Sequence, residues 1–573
     1  MVTNKYITRI ASVIMAAAVI LCLMASLFSD KLQEVYGNNA VTMKYESKLF
    51  STDQIMDIDI LMDEDDWNNM LENAISEEYY SCNVVVNGKT FYSVGIRPKG
   101  NTSLSSIVND PDTDRYSFKL EFDHYIEGQT CYGLDKLILN NNYADATNMK
   151  EAIVYDMYQY LGVDASLYNY AKISVNGDYR GVYLALEAVE DSFMLRNYGT
   201  EDGNLYKPES MGIGGGVDGN GFPQKGEMPD GEDFPQKGEM PDGEDFPQKG
   251  EMPDGEDFPQ MGEAPNGEVA DIKMGIMGGN GGADLNYTDD DLDSYSTIWD
   301  GEITDSDKKD HKRVVEALKN ISEGTDLETY MDVDNILKYM AVHTFVVNDD
   351  SLSGTMAHNY YLYEYNGKLN ILPWDYNLSF GGMSMGGKMG GQSLGATSVI
   401  NDAIDTPFSI TDFFNALLEN EEYLEQYHGY LNELVEKYVN GGEFEKTYER
   451  IRSQIDDLVG NDPTAFYSYE EYEEAANMLI EVVQLRAKSV SGQLAGTIPS
   501  TDEGQQQDSS NLIDGSDIDL SVMGSFSGGG GGNEGQGKDN GFAGTPQPFD
   551  AGDVSPISEE KADLQDSNQD SVK

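Results

Sequence analysis

Cysteine is nearly missing from this sequence: Cys22, Cys82 and Cys131 are all that its 573 residues hold. Three thiols do not make a disulfide framework. Cys22 falls in an apolar run, and Cys82 and Cys131 are left either to pair or to sit as buried thiols. Basic residues are scarce as well. Lys and Arg number 37 against 102 Asp and Glu, a formal charge of −65. Such a charge repels nucleic acid and anionic lipid surfaces, and favours cations, basic partners and solubility. No nucleic acid partner is expected. The length allows two or more folded units.

One long hydrophobic run is present. Lys5 and Arg9 precede residues 10–28, nineteen residues without a charge, roughly 28 Å as a helix and about one hydrocarbon core. The basic flank favours a cytoplasmic N-terminus with the rest of the chain outside. The expectation is a membrane anchor over residues 1–29 and an extracytoplasmic protein; a cleaved signal peptide is the rival, which would leave it secreted. Residues 211–283 are different material. The unit GEMPDGEDFPQK recurs with period 12 at Gly226, Gly238 and Gly250. Gly, Pro and acid dominate there, and single Phe and Met residues cannot form a core, so a disordered insertion is expected. The Gly/Ser/Asp tail from residue 499 carries the same expectation.

The remainder reads as mixed α/β. Residues 55–60 alternate as a strand, 63–75 read as a short helix, and 83–86 and 90–96 flank Asn87-Gly88 as a hairpin. Residues 97–103, RPKGNTS, read as a loop that either closes over phosphates with Arg97 and Lys99 or is a solvated basic turn. The strand at 116–122 puts Ser117, Lys119 and Glu121 on one face. Lys119 faces either solvent or a cleft. Glu151, on a helix over 145–161 that Gly162 ends, either pairs with Lys119 or is an ordinary surface glutamate. Residues 170–175 and 181–188 flank Asn176-Gly177, with Glu187 at the end of the second strand. Beyond residue 284 the pattern turns helical, over 314–318, 331–347, 408–438, 444–458 and 469–494. His343 lies beside the buried stripe of the helix at 331–347 as a packed histidine.

Residues 348–382 carry the densest chemistry. Asp349 and Asp350 stand where the helix stops. His358 and Asn359 then open an aromatic strand, Asn366-Gly367 signals a type I′ turn, and the returning strand delivers Trp374, Asp375 and Asn377. A hairpin brings its ends together, so Asp350, Asn359, Asp375 and Asn377 are expected to converge. Hard oxygen donors with no Cys and one His nearby suit Mg²⁺ or Mn²⁺ better than zinc. The bland alternative is that these residues cap turns and end a helix. A Gly/Met/Ser loop follows at 381–395.

The run HNYYLYEYNGKLNILPWDYNLSFGG closely resembles the motif of the CotH family, spore-coat protein kinases with an atypical kinase-like fold. Upstream, GIRPKGNTS, YSFKLEFD and VNGDYRGVYLALEAVE resemble the same family in the same order. The resemblance runs from Tyr45 to Leu494 with one insertion. It implies an α+β, two-lobed kinase-like fold, with a β-rich lobe over 45–210 and a mostly helical lobe over 284–495. The implied activity moves the γ-phosphate of ATP, with Mg²⁺ or Mn²⁺, to Ser or Thr hydroxyls of a surface or spore-coat protein. Carried over by motif, Asp350 (or its neighbour Asp349) orients the acceptor hydroxyl. Asn359, Asp375 and Asn377 hold metal, the last standing where many relatives have a second aspartate. Arg97, Lys99 and Lys119 meet phosphates. By resemblance to kinase hinges, the segment at Glu187 meets the adenine through its backbone. The competing expectation is a surface-anchored scaffold or adhesion protein that has lost catalysis.

Overall fold

Three Asn-Gly pairs organise the β structure. Asn87-Gly88, Asn176-Gly177 and Asn366-Gly367 all have positive φ at both positions, 49° and 78°, 54° and 86°, 54° and 85°. A type I′ turn requires this, and Asn and Gly adopt it at least cost. The computed structural model describes residues 40–209, 281–354, 357–383, 395–408, 410–524 and 526. The expected membrane anchor, almost all of the repeat insertion, most of the Gly/Met/Ser loop and the end of the tail lie outside those residues. Among the described residues no helix is long and apolar enough to cross a membrane.

Seven strands close into a barrel: β1 (Met56–Leu61), β2 (Tyr80–Val86), β3 (Lys89–Lys99), β4 (Ser117–Glu121), β5 (Lys136–Asn140), β6 (Tyr168–Val175) and β7 (Asp178–Glu187). Neighbours pair antiparallel in the order β1-β2-β3-β4-β5-β7-β6, and a parallel β1–β6 pairing shuts the ring. Mixed α/β content is as expected. The closed barrel is a feature that strand patterns alone did not indicate. Alternation assigns the two faces. Leu137 and Leu139 join Ile58, Ile96 and Leu120 in one core, while Ile138 between them joins a second core with the helices. Cys82 and Cys131 are both buried and free, and burial pushes both thiols up to about 12.

β3 extends through Arg97, Pro98 and Lys99, correcting the expectation of a loop there. The chain then turns at Gly100 into α1 (Thr102–Val108). α2 (Lys150–Leu161) starts five residues later than its apolar spacing suggests. Asp145 is the reason: its carboxylate accepts from the N–H groups of Thr147 and Lys150, each at 3.0 Å, which holds 145–149 as a capping loop. Further on come α3 (Asp191–Tyr198), α4 (Lys308–Ser322), α5 (Val333–Val346), α6 (Glu421–Glu433), α7 (Glu443–Val459) and α8 (Tyr469–Leu494). A second, three-stranded sheet has the order β10-β9-β8, with β8 (Asn204–Tyr206) at the edge of the hairpin of β9 (Tyr360–Tyr365) and β10 (Lys368–Pro373).

Glu187 closes the barrel strand β7 against α3. Arg196 donates to both of its oxygens, at 2.9 and 2.6 Å, Tyr45 donates to Oε1 at 2.5 Å, and the Leu167 N–H donates to Oε2 at 3.1 Å. The carboxylate is fully buried and its oxygens are taken. The Glu187 N–H donates to the Leu167 carbonyl at 2.9 Å. Replacing the charge while keeping the shape, Glu187→Gln, is expected to cost about 2 kcal/mol of stability. Thermal melting checks the loss, and melting unchanged from wild type would show that the charge at Glu187 does not hold β7 to α3.

Candidate active site

The site sits at the open end of a hairpin. β9 (Tyr360–Tyr365) and β10 (Lys368–Pro373) pair so that Tyr360 faces Pro373. Asn359 and Trp374 therefore leave the hairpin side by side. Asn359 and Asp375 both take a left-handed backbone, with φ of 57° and 60°. Asn and Asp tolerate that region better than other residues with side chains, and each turns the chain sharply off its strand. α5 brings in a third segment. It ends at Val347, whose φ of 49° is a costly conformation for a β-branched residue, and Asn348, Asp349 and Asp350 follow.

Asp350 is held from two sides. His358 Nε2 meets its Oδ1 at 2.8 Å. The Asn359 amide donates to its carbonyl at 2.7 Å and to its Oδ2 at 3.1 Å. Burial would push the His358 pKa down, but the hydrogen bond and charge of Asp350 outweigh it, so it lies above the ordinary value. Asn348 donates to the Asp375 carbonyl at 3.3 Å, tying the end of α5 to the loop after β10. His343 ties the same two segments from beneath. Its Nδ1 lies 3.1 Å from the Tyr376 hydroxyl and its Nε2 2.8 Å from the Ser353 hydroxyl. Burial lowers its pKa to about 3, so it works as a neutral link.

Asp375 faces a mixed set of charges. Burial raises its pKa, Lys99 lowers it, and the Asp350 carboxylate raises it again, with Lys207 and His358 countering. The net direction is up. Lys99 is pulled down by burial, against the charges of Asp375 and Glu151, and its ammonium stands 5.4 Å from the Trp374 ring centre. Glu151 accepts from the Asn140 amide at 2.6 Å. Burial, and then the charge of Asp375, push it up to about 8. Native Glu151 thus keeps a proton that the unfolded chain releases, and its contribution to stability is complete below about pH 4.5 and lost as pH rises through about 8. In metal-free buffer, raising the pH from about 5 to about 8.5 is expected to lower wild-type melting relative to Glu151→Gln. Parallel melting curves would contradict it.

Neither reading of Glu151 holds: it is buried rather than on the surface, and Lys119 pairs elsewhere. Lys119 and Lys136 both pair with Glu190, because β4 pairs with β3 so that Lys119 lies opposite Arg97, two residues short of the site. Lys99, on the same face of β3, is the lysine whose charge Glu151 feels. Arg97 pairs with Glu77 and lies over the Tyr79 ring at 5.5 Å. Asn377 donates its amide to the Tyr143 carbonyl at 2.8 Å, and no described residue donates to its side-chain oxygen. Asp349 stands next to Asp350 without sharing its partners, and its pKa is raised by burial and by the Asp350 charge. The structure thus brings Asp350, Asn359, Asp375, Lys99 and Glu151 into one electrostatic neighbourhood, and leaves Glu187 and Lys119 in ion pairs of their own. Sequence reasoning gave no role to His358, although its place beside Asn359 was visible. It missed Lys207, which no motif marks.

Among the described residues no group of three or more His, Cys, Asp or Glu side chains gathers as a metal site. The oxygen donors near the hairpin end are two carboxylates, Asp350 and Asp375, with the amides of Asn359 and Asn377. Mg²⁺ is commonly bound by one or two carboxylates together with substrate phosphates and water, and a carboxylate whose pKa is raised by a like neighbour gains from a cation. The donor set fits a hard divalent ion that arrives with a polyphosphate. A sequence model of the family described as CotH kinase protein matches residues 96–490. No curated protein matches the chain.

Proposed function

The chain belongs to the CotH kinase family, and from that premise we propose that it transfers the γ-phosphate of ATP to a serine or threonine hydroxyl of a protein acceptor. The barrel with α2 would form one lobe of an atypical kinase-like arrangement and the helices from α4 onward the other. The observation that carries this reading is the convergence at the hairpin end: Asn359 and His358 hold Asp350 there, the Asp350 charge acts on Asp375, and Lys99 feels the charges of both Asp375 and Glu151. Phosphoryl transfer needs little covalent help from a protein; it needs positioning and charge.

Each group has a place in that scheme. Asp350 orients the acceptor hydroxyl and receives its proton, and His358 and Asn359 fix the carboxylate that does so. Asp375, with the side-chain oxygens of Asn359 and Asn377, holds the divalent ion. Mg²⁺ or Mn²⁺, when bound, neutralises charge along the triphosphate. Lys99 binds phosphate oxygens, and Glu151 keeps its ammonium in place. Arg97 and Lys119, paired with Glu77 and Glu190, take no direct part in this scheme. An intact set of this kind favours catalysis over an inactive scaffold, since a scaffold gains nothing from an Asp350 charge that raises Asp375 and an Asp375 charge that raises Glu151.

The test is incubation of the purified chain with γ-labelled ATP and Mn²⁺ in the presence of basic and Ser-rich protein acceptors. Label in phosphoserine or phosphothreonine is the expected result. No label in any acceptor, together with no melting shift from Mn²⁺·ATP, overturns the kinase reading in favour of the scaffold.

A further inference from the structure

The family match ends at residue 490, yet the ordered chain does not. The tail from residue 499 was expected to be disordered; instead residues 499–524 and Phe526 run back along the fold as a strap. Ile498 is buried at the end of α8. The Asp405 N–H then donates to the Ser500 carbonyl at 2.8 Å. Asn401 grips the next stretch twice, accepting from the Ile513 N–H at 2.9 Å and donating to the Ile513 carbonyl at 2.8 Å. The Gly515 N–H donates to Thr397 Oγ1 at 3.0 Å. The tail composition hid this because the anchoring groups are backbone amides and scattered apolar residues.

The strap's last turn lies against the loops that carry the site. Met523 is buried, 1% exposed, and its carbonyl accepts from the Ala146 N–H at 3.1 Å. Gly524 has a φ of 83°, and a Cβ there would stand 2.6 Å from the Ala144 carbonyl oxygen, 2.8 Å from the Ala146 nitrogen and 2.9 Å from the Tyr467 hydroxyl. Only glycine fits. The Phe526 N–H donates to the Gly382 carbonyl at 3.1 Å, and its ring centre is 6.2 Å from that of Tyr143. One side of this contact is therefore residues 143–146, which precede α2 and Glu151 and supply the carbonyl that holds Asn377. The other side is Gly382, at the end of the loop that Asp375 begins.

We propose that Gly524 and Phe526 are positioning residues for the phosphate transfer: the strap pins the Asn377 loop to the start of α2, so that the site is not complete within the family-matched region. This rests on the kinase reading above. Groups that orient metal ligands from outside the coordination sphere typically change affinity or activity by about 10–100-fold when lost. Gly524→Ala and Phe526→Ala, in the full chain, are each expected to raise the Mn²⁺·ATP requirement or lower kcat by about tenfold. Gln506→Ala, on the exposed side of the strap, is expected to match wild type. Phe526→Ala adds no backbone strain, so it guards against Gly524→Ala failing to fold.

Wild-type kinetic constants in both variants, measured well below their melting temperatures, overturn the proposal and leave the kinase reading standing. Should wild type transfer no phosphate, the readout becomes the melting shift that Mn²⁺·ATP produces: a shift in wild type that both variants lose supports the strap, and equal shifts overturn it. Wild type that neither transfers phosphate nor responds to Mn²⁺·ATP removes the kinase reading and this proposal together.

Discussion

Asp375→Asn is expected to lower phosphate transfer by at least about 10²–10³-fold while leaving the protein as stable as wild type or more so. The choice of asparagine matters. Asp375 has a φ of 60°, a conformation Asn accepts and in which Ala would add strain of roughly 1–2 kcal/mol. Asn therefore removes the charge and little else. The stability half of the prediction comes from the direction of the pKa shift. Burial and the Asp350 charge together outweigh Lys99 and raise the Asp375 pKa, so the folded protein disfavours the ionised form it needs. A neutral isostere escapes that cost, the usual trade between stability and function at a site. Labelling with γ-labelled ATP and Mn²⁺ on both proteins side by side, with melting curves in metal-free buffer, checks both halves. Equal labelling would remove Asp375 from the metal site, and a large drop in melting temperature would show that its carboxylate holds the fold.

The hairpin that bears this residue was legible from sequence because its turn is specified by two adjacent residues. Asn366-Gly367 names the turn type, and alternation does the rest. The same holds for the turns at Asn87 and Asn176 and for α8, whose bounds coincide with its apolar spacing. Closure of the barrel was not legible: the parallel β1–β6 pairing joins strands more than a hundred residues apart, and no local pattern specifies a partner. β5 was missed because KLILN offers only three apolar residues between Lys136 and Asn140, without alternation. The choice between Lys99 and Lys119 turned on strand length. Pro98 argues against a strand interior, yet it pairs with Phe118 inside β3. Alternation could put both lysines on one face. It could not say which one reached the carboxylates.

Asp350→Asn should separate the acceptor-orienting role from the metal-holding one. Its kcat is expected to fall by about 10²–10⁴-fold, with the Mn²⁺·ATP requirement close to wild type, whereas Asp375→Asn should raise that requirement. The reason is geometric. Asp350 is held by His358 and Asn359, at 2.8 and 3.1 Å to its two carboxylate oxygens, an arrangement that fixes a hydrogen-bond acceptor rather than a free ligand. A second signature is independent of catalysis. His358 has its folded pKa raised by Asp350 against burial. The stabilisation from that pair is complete below the unfolded pKa of about 6.5 and fades as pH rises through the higher folded value. Asp350→Asn should therefore lose more melting temperature at about pH 5.5 than at about pH 8.5. A kcat within a few-fold of wild type would transfer the role to Asp349, whose half-buried carboxyl stands beside it and is not held by a histidine among the described residues. In that case the pH-dependent melting difference would remain, because it belongs to the Asp350–His358 pair and not to the reaction.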